Sequence, residues 1–169
     1  MARTLILSVE RVRRVVTRLA YEVVERNRGS SGLLLLGIER SGAVVAEHLA
    51  REISRIVDAD VPVSGLNVTE YRDDRTPAGD AIASTGIDAT QRDVLLVDDV
   101  LFTGRTARAA LDAIVHLGRP RSIRLAVLVD RGHREIPIQP DFVGRLIQTK
   151  HQERVVVAVA DGMAIYVDE

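Results

Sequence analysis

Two adjacent carboxylates, Asp98 and Asp99, follow the apolar run Val94 to Val97, and Val100, Leu101 and Phe102 lead from them into Thr103, Gly104, Arg105 and Thr106. A carboxylate accepts from hydroxyl donors and is a hard oxygen ligand for a cation such as Mg²⁺. A short Thr- and Gly-containing turn that opens a helix offers backbone N–H groups and the positive end of the helix dipole to an anion. Acids for a sugar's hydroxyls or a metal, beside a cradle for a phosphate, suit a phosphorylated ribose. Two other readings fit less well. A Walker loop requires Gly-Lys-Ser/Thr after its glycines, which is absent here. The paired acids of a receiver-like pocket follow the first strand, whereas these lie past the middle of the chain.

The elements that must position these groups can be read from periodicity. Ser8 to Arg26 is predicted to be an amphipathic helix, with Val9, Val12, Leu19 and Val23 at helical spacing. Leu33 to Ile38 reads as a buried strand, Ala43 to Ile56 as a helix and Val61 to Tyr71 as a strand. Arg72 to Thr90 reads as a long loop of the kind that often acts as a lid. A strand over Val94–Val97 would present Asp98 and Asp99 at its carboxyl end. A helix over Thr106–His116 ends before Gly118 and Pro120, and Ile123 to Val129 reads as another buried strand. Asp130 to Gln148 is expected to be irregular or to contain only short pieces. Asp161-Gly162 between two apolar runs reads as a two-residue hairpin turn. Strands alternating with helices imply a parallel sheet covered on both faces, with ligands at the carboxyl ends of the strands. With no repeat, low-complexity tract or linker, residues 1–169 are expected to form one domain.

Composition sets limits on the rest. Hydrophobic residues make up 46% and aromatics only 3%, as in a Val/Leu/Ala-rich α/β protein. No apolar run approaches the roughly 18 residues needed to span a bilayer, and the start of the chain lacks a signal-peptide pattern. The absence of cysteine excludes disulfides and thiolate metal sites and fits a cytoplasmic protein. A formal net charge of −1 means that nucleic acid could be held only by a local patch. Lys150 is the sole lysine. A preference for guanidinium forks toward phosphate or RNA is one explanation, and a coding bias toward Arg is the one favoured.

The segment Val94–Thr106 resembles the PRPP-binding signature of type I phosphoribosyltransferases. Thr69-Glu70-Tyr71-Arg72-Asp73-Asp74, Leu117-Gly118-Arg119-Pro120 and Leu125 through Glu135 are similar to the bacterial pyrimidine-operon attenuation regulators, whose members are also uracil phosphoribosyltransferases. The resemblance runs from about Val9 to Tyr166. It implies an α/β fold: an open, mainly parallel twisted sheet with helices on both faces and a small irregular or β hood. It further implies that uracil and PRPP yield UMP and diphosphate with Mg²⁺, and that UMP or UTP favours binding to pyrimidine-operon leader mRNA. The assembly implied is a homodimer or homotetramer.

Residue by residue, the resemblance assigns Asp98 and Asp99 to the ribose hydroxyls and Mg²⁺, and Val100 to Thr106 to the 5′-phosphate. Glu39, Arg40, Ser41 and Gly42 become the diphosphate loop. There the usual Thr-Arg order is replaced by Arg40-Ser41, so Arg40 either reaches the diphosphate from a shifted position or the loop binds it more weakly. Tyr71, Arg72, Asp73 and Asp74 open the flexible loop, with Arg72 neutralising the diphosphate in the transition state. Asp130, Arg131, Gly132 and His133 line the base pocket, and Asp130 is a candidate third group toward Mg²⁺. For His133, a structural or surface role is preferred to that of a catalytic base. His48, His116 and His151 have no evident partner or metal-ligand spacing. An RNA surface would comprise Thr17, Arg18, Tyr21, Arg26, Arg134 and Arg145. Tyr21 and Gln139 depart from the His and Arg that the family often carries. The Arg40-Ser41 order motivates one alternative, a nucleotide-sensing attenuator with weak or no transferase activity, and the Tyr21 and Gln139 departures motivate another, a salvage-only transferase.

Overall fold

Ser8 stops the first strand and starts the first helix. Its hydroxyl accepts from the Arg11 N–H at 3.4 Å, and helix α1 runs Val9–Asn27. Arg28 ends it in the left-handed region, with its N–H and that of Gly29 returning to the carbonyls of Glu25 and Val24. The computed structural model describes residues 2–73 and 86–169. After β1 (Arg3–Leu7) and α1 come β2 (Leu33–Ile38), α2 (Ser41–Val57), β3 (Val63–Leu66) and a 3-10 turn at Thr69–Tyr71. Then follow β4 (Asp93–Leu101), α3 (Arg105–Ile114), β5 (Ser122–Asp130), β6 (Phe142–Leu146), β7 (Arg154–Ala158) and β8 (Ala164–Asp168).

Five strands form a parallel sheet in the order β3-β2-β4-β5-β6, while β1-β8-β7 form a small antiparallel sheet. Alternation along β2 divides the core. Leu33 and Leu35 face α1, α2 and the small sheet, whereas Leu34 and Leu36 face α3. All six residues of β2 are therefore buried, as expected of a strand covered on both faces. The expected parallel sheet and β hood are present.

Three local expectations change. The strand predicted over Val61–Tyr71 is confined to Val63–Leu66. Pro62 has no N–H for a ladder, and the Asn67 side chain accepts from the Thr69 N–H at 3.0 Å, turning the chain. Strand β4 does not end at Val97. Its pairing with β2 stops at Gly37↔Val97, but pairing with β5 continues to Leu101↔Asp130. The region after Asp130, expected to be irregular or in short pieces, contains one short piece, the edge strand β6, ordered by its pairing with β5. The β7–β8 hairpin exists, but a 3-10 turn at Val159–Asp161 precedes Gly162 (φ 75°) and Met163 (φ 70°). The Met163 N–H donates to the Ala158 carbonyl at 2.9 Å, and its side chain enters the core, so packing sets a longer turn. Strand β1, unread from sequence, pairs with β8 through Arg3↔Asp168 to Leu7↔Ile165.

Candidate active site

The strand order reverses between β2 and β4. From β2 the chain proceeds through α2 to β3 on one side, and from β4 through α3 to β5 on the other. Loops therefore diverge above these two strand ends, leaving a crevice where a ligand fits. Asp98 and Asp99 lie there, one and two residues beyond the last β2–β4 pair. Asp98 is buried, and one of its oxygens accepts from the Asp99 N–H at 2.9 Å. The Asp99 carboxylate accepts from the Val100 N–H at 2.8 Å. Burial, and then the adjacent Asp99 charge, push the Asp98 carboxyl well above its ordinary range, while Arg72 opposes the shift. The positive charge of Arg72 favours the ionised carboxylate.

Gly42 brings the loop after β2, the predicted diphosphate loop, against this pair. A Cβ there would fall 2.8 Å from the Val97 carbonyl oxygen and 3.0 Å from an Asp98 carboxylate oxygen. Only glycine lets the start of α2 approach so closely. Glu39 and Arg40 are exposed, the peptide between them is cis, and the Glu39 N–H donates to the Leu66 carbonyl at 3.0 Å. Arg40 caps α2 by position, with no side-chain bond to the first turn, and Ser41 begins the helix. This end of α2 and the start of α3 both face the crevice.

Helix α3 begins after Gly104, whose φ of 91° requires the left-handed conformation. Thr103 Oγ1 accepts from the Arg105 N–H at 3.3 Å, but no side chain caps the helix from Gly104. Arg72, Asp73, Arg105 and Thr106 line a cleft of 240 Å³ beside this turn. Arg105 bonds Asp73 at 2.8 Å and Glu135 at 2.9 Å, and Arg108 also pairs with Asp73. Tyr71 packs against the α3-side core, with its ring 5.5 Å from that of His116. The predicted loop member Asp74 lies outside the described residues.

Beyond β5, Asp130 is a loop anchor. Its carboxylate accepts from the Gly132 N–H at 3.0 Å and pairs with Arg134 at 2.6 Å. Both carboxylate oxygens are engaged, which runs against its reading as a third Mg²⁺ group. Arg131 is buried and its guanidinium lies 4.0 Å from the Phe102 ring centroid. His133 (φ 64°) directs Nε2 toward the Thr149 carbonyl at 2.7 Å, so that nitrogen donates and the ring is held in place. Phe102, His133 and His151 meet edge to face, with centroids 5.4–5.7 Å apart. His151 was passed over in the sequence. Its neighbours are distant in the chain, and no local spacing signals the contact. Among the described residues, no group of three or more His, Cys, Asp or Glu could hold a metal ion by itself.

The phosphoribosyl transferase domain family matches residues 4–162. The chain belongs to this family. Its curated relatives include proteins called "Bifunctional protein PyrR". That of Ligilactobacillus salivarius is 48% identical over 94% of this chain and 88% of its own. That of Trichormus variabilis is 52% identical over 92% and 88%, respectively. Among solved structures, the HGPRT-ase of Leishmania tarentolae in complex with GMP superposes with a TM-score of 0.78, at 16% identity, over 100% of this chain and 98% of its own. The hypoxanthine phosphoribosyltransferase of Trypanosoma cruzi gives 0.74 at 18% identity, over 97% and 95%. These two likenesses concern the fold.

The residues expected to meet RNA are divided by the phosphoribosyltransferase fold. Thr17 and Tyr21 lie along α1, where Thr17 bonds Glu52 of α2 at 3.3 Å and Tyr21 is 54% exposed. Arg18 crosses to the carbonyls of Val143 and Gly144, and Arg26 pairs with Asp141 at 3.5 Å. Phe142 packs with the α1-side core and Val143 with the α3-side core, so alternation along β6 sends Arg145 to the α3 side. Arg134 corrects the sequence reading. Besides Asp130, it donates to the carbonyls of Ile138 (2.8 Å) and Phe102 (2.9 Å), and only 15% of its side chain is exposed. Its charge is satisfied inside the loop after β5.

Proposed function

We infer that this protein is a bifunctional pyrimidine regulator: a uracil phosphoribosyltransferase that also binds pyrimidine-operon leader mRNA in response to uridine nucleotides. The observation that carries the enzymatic half is the close approach of Gly42 to Asp98 above β2 and β4, with Arg72 lining the cleft beside Arg105 and Thr106. An acid pair, a diphosphate loop and a nearby cation are the parts needed for transfer from PRPP.

In the reaction, uracil N1 attacks the anomeric carbon as the bond to diphosphate breaks. Positive charge builds on the ribose and negative charge on the leaving group. Asp98 and Asp99 hold the ribose hydroxyls and face the positive charge. The N–H groups of Thr103 to Thr106 take the 5′-phosphate, and Arg105 exchanges Asp73 for that dianion. Arg72 and the Arg40-Ser41-Gly42 turn face the diphosphate, where fixed charges matter more as the bond breaks. The hard oxygens of the acid pair suit Mg²⁺, which keeps several waters and takes few protein ligands. Held by Asp98, Asp99 and the substrate, it would neutralise diphosphate charge.

For the regulatory half, Thr17, Arg18, Tyr21 and Arg26 along α1 make up the RNA surface, without Arg145, which lies on the α3 side of the sheet, and a bound uridine nucleotide favours it through differential affinity for the RNA-competent state. The protein acts as a homodimer or homotetramer in the cytoplasm. No helix among the described residues is long and apolar enough to cross a membrane.

Diphosphate release from uracil and PRPP with Mg²⁺, with Asp99→Asn as the blank, tests the enzyme. Turnover at least about tenfold above the blank is expected. UMP binding without turnover would leave a nucleotide-sensing attenuator. A gel shift with a leader stem-loop, with and without UMP, tests the regulator. There, Arg26→Ala is expected to lower the salt slope by about one. No shift at low salt would leave a salvage transferase.

A further inference from the structure

The cleft beside the start of α3 already holds an anion of the protein's own. Arg72, Asp73, Arg105 and Thr106 line it. Asp73 sets its two carboxylate oxygens on two guanidinium groups one turn apart on α3. Oδ2 accepts from Arg105 Nη1 at 2.8 Å, and Oδ1 accepts from Arg108 Nη1. A phosphate presents the same kind of oxygen fork to arginine.

The second acid on Arg105 is placed differently. Glu135 accepts from Nε of the same guanidinium at 2.9 Å and lies outside the cleft lining. Two acids of equal charge therefore share one arginine. Glu135 orients it from outside, while Asp73 occupies the edge that opens on the cleft. Half-exposed ion pairs of this kind are weak, so they hold Asp73 in place without locking it there. A dianion entering the cleft carries twice the charge of the carboxylate it would displace.

We propose that Asp73 is an internal competitor for the ligand's 5′-phosphate: it occupies Arg105 and Arg108 in the free protein and must let go before a phosphate can take Arg105. The proposal rests on reading the Thr103–Thr106 turn as the phosphate site, and it adds what sets the affinity of that site. Only protein with Asp73 detached is competent to bind, and apparent affinity is reduced by that fraction. The site therefore fills at a higher nucleotide concentration than its donors alone would set. That property suits a protein whose second role is to respond to nucleotide supply.

The experiment measures the dissociation constants of UMP, inorganic phosphate and uridine for the full chain and its variants. Asp73→Asn is expected to tighten UMP and inorganic phosphate by about threefold to tenfold. Uridine, which has no phosphate, should change by less than about twofold. Asp73→Glu keeps the charge and should return both phosphate ligands toward their wild-type affinities. Glu135→Gln removes the same charge from the same arginine, yet should tighten UMP by less than about twofold. The altered side chains are 37–53% exposed, so their replacement leaves the core intact.

Equal tightening by Asp73→Asn and Glu135→Gln would mean that only net charge matters, and would overturn the competitor. An unchanged UMP affinity in Asp73→Asn would do the same. So would a gain for uridine as large as that for UMP, which would mark a reshaped cleft. Arg105→Ala tests the underlying reading separately. It should weaken UMP by at least about tenfold, the loss of a charge-assisted hydrogen bond. UMP binding indifferent to Arg105 would place the phosphate elsewhere and sink that reading, and the competitor with it.

Discussion

Arg134 and Asp130 form a 2.6 Å ion pair whose side chains are only 15% and 9% exposed. Arg134 also holds the Phe102 and Ile138 carbonyls, so one guanidinium ties the loop after β5 to the loop after β4. Removing one partner of such a pair leaves the other buried and uncompensated. Arg134→Ala is therefore expected to destabilise the fold by about 3 kcal/mol and to raise the KM for uracil. Thermal denaturation and steady-state kinetics check this. Unchanged stability with a selective loss of RNA affinity would return Arg134 to the RNA surface.

Asp98 is held at a cost to stability. Its folded-state pKa is raised by burial and by Asp99. The folded protein thus binds this proton more tightly than the unfolded chain does, and that stabilising contribution is lost as pH rises from the ordinary carboxylate range through the raised value. Asp98→Asn removes the penalty. Its melting temperature should exceed that of the wild type by about 2–4 °C at neutral pH, corresponding to ~1 kcal/mol, and the gap should close in acid. Transferase activity should fall at the same time. A variant less stable than the wild type at pH 8 would contradict the argument.

Gly42→Ala puts a methyl group against the Val97 carbonyl and Asp98, both part of a buried strand end. Neither is a flexible side-chain tip that can move aside. A shift of the diphosphate loop is the expected result, lowering kcat/KM by at least about tenfold through misplacement alone. Normal kinetics in the alanine variant would mean that the loop does not need this close approach.

Asp93 opens β4, where it pairs with Arg121 and accepts from Ser122 Oγ at 2.7 Å. These contacts hold its carboxyl down at about 2. A depressed pKa contributes stability above the unfolded value, which is lost as pH falls from about 4 toward 2. Arg121 is largely exposed, so solvent screening limits the contribution to about 1 kcal/mol. Asp93→Asn should melt lower than the wild type at neutral pH and converge with it in acid. A constant gap across that range would assign the loss to packing.

Local sequence carried much of the design. The unbroken apolar run Leu33–Ile38 can only be a strand covered on both faces, and Ser8 with the following helical spacing marks α1 to within a residue. Asp98, Asp99 and the Thr103–Thr106 turn were legible because strand, acids and helix start are contiguous. Contacts between distant segments were not. The packing of Gly42 on Asp98 depends on β2 lying beside β4. The Phe102–Arg131–His151 cluster requires three loops to meet, and the inward turn of Arg134 depends on carbonyls that no periodicity reports. Sequence thus determined which groups were available and which local elements carry them, because hydrophobic period and capping act over a few residues. Tertiary structure decided which charges are buried, paired or left open, because that depends on strand order and on which backbone carbonyls face each side chain.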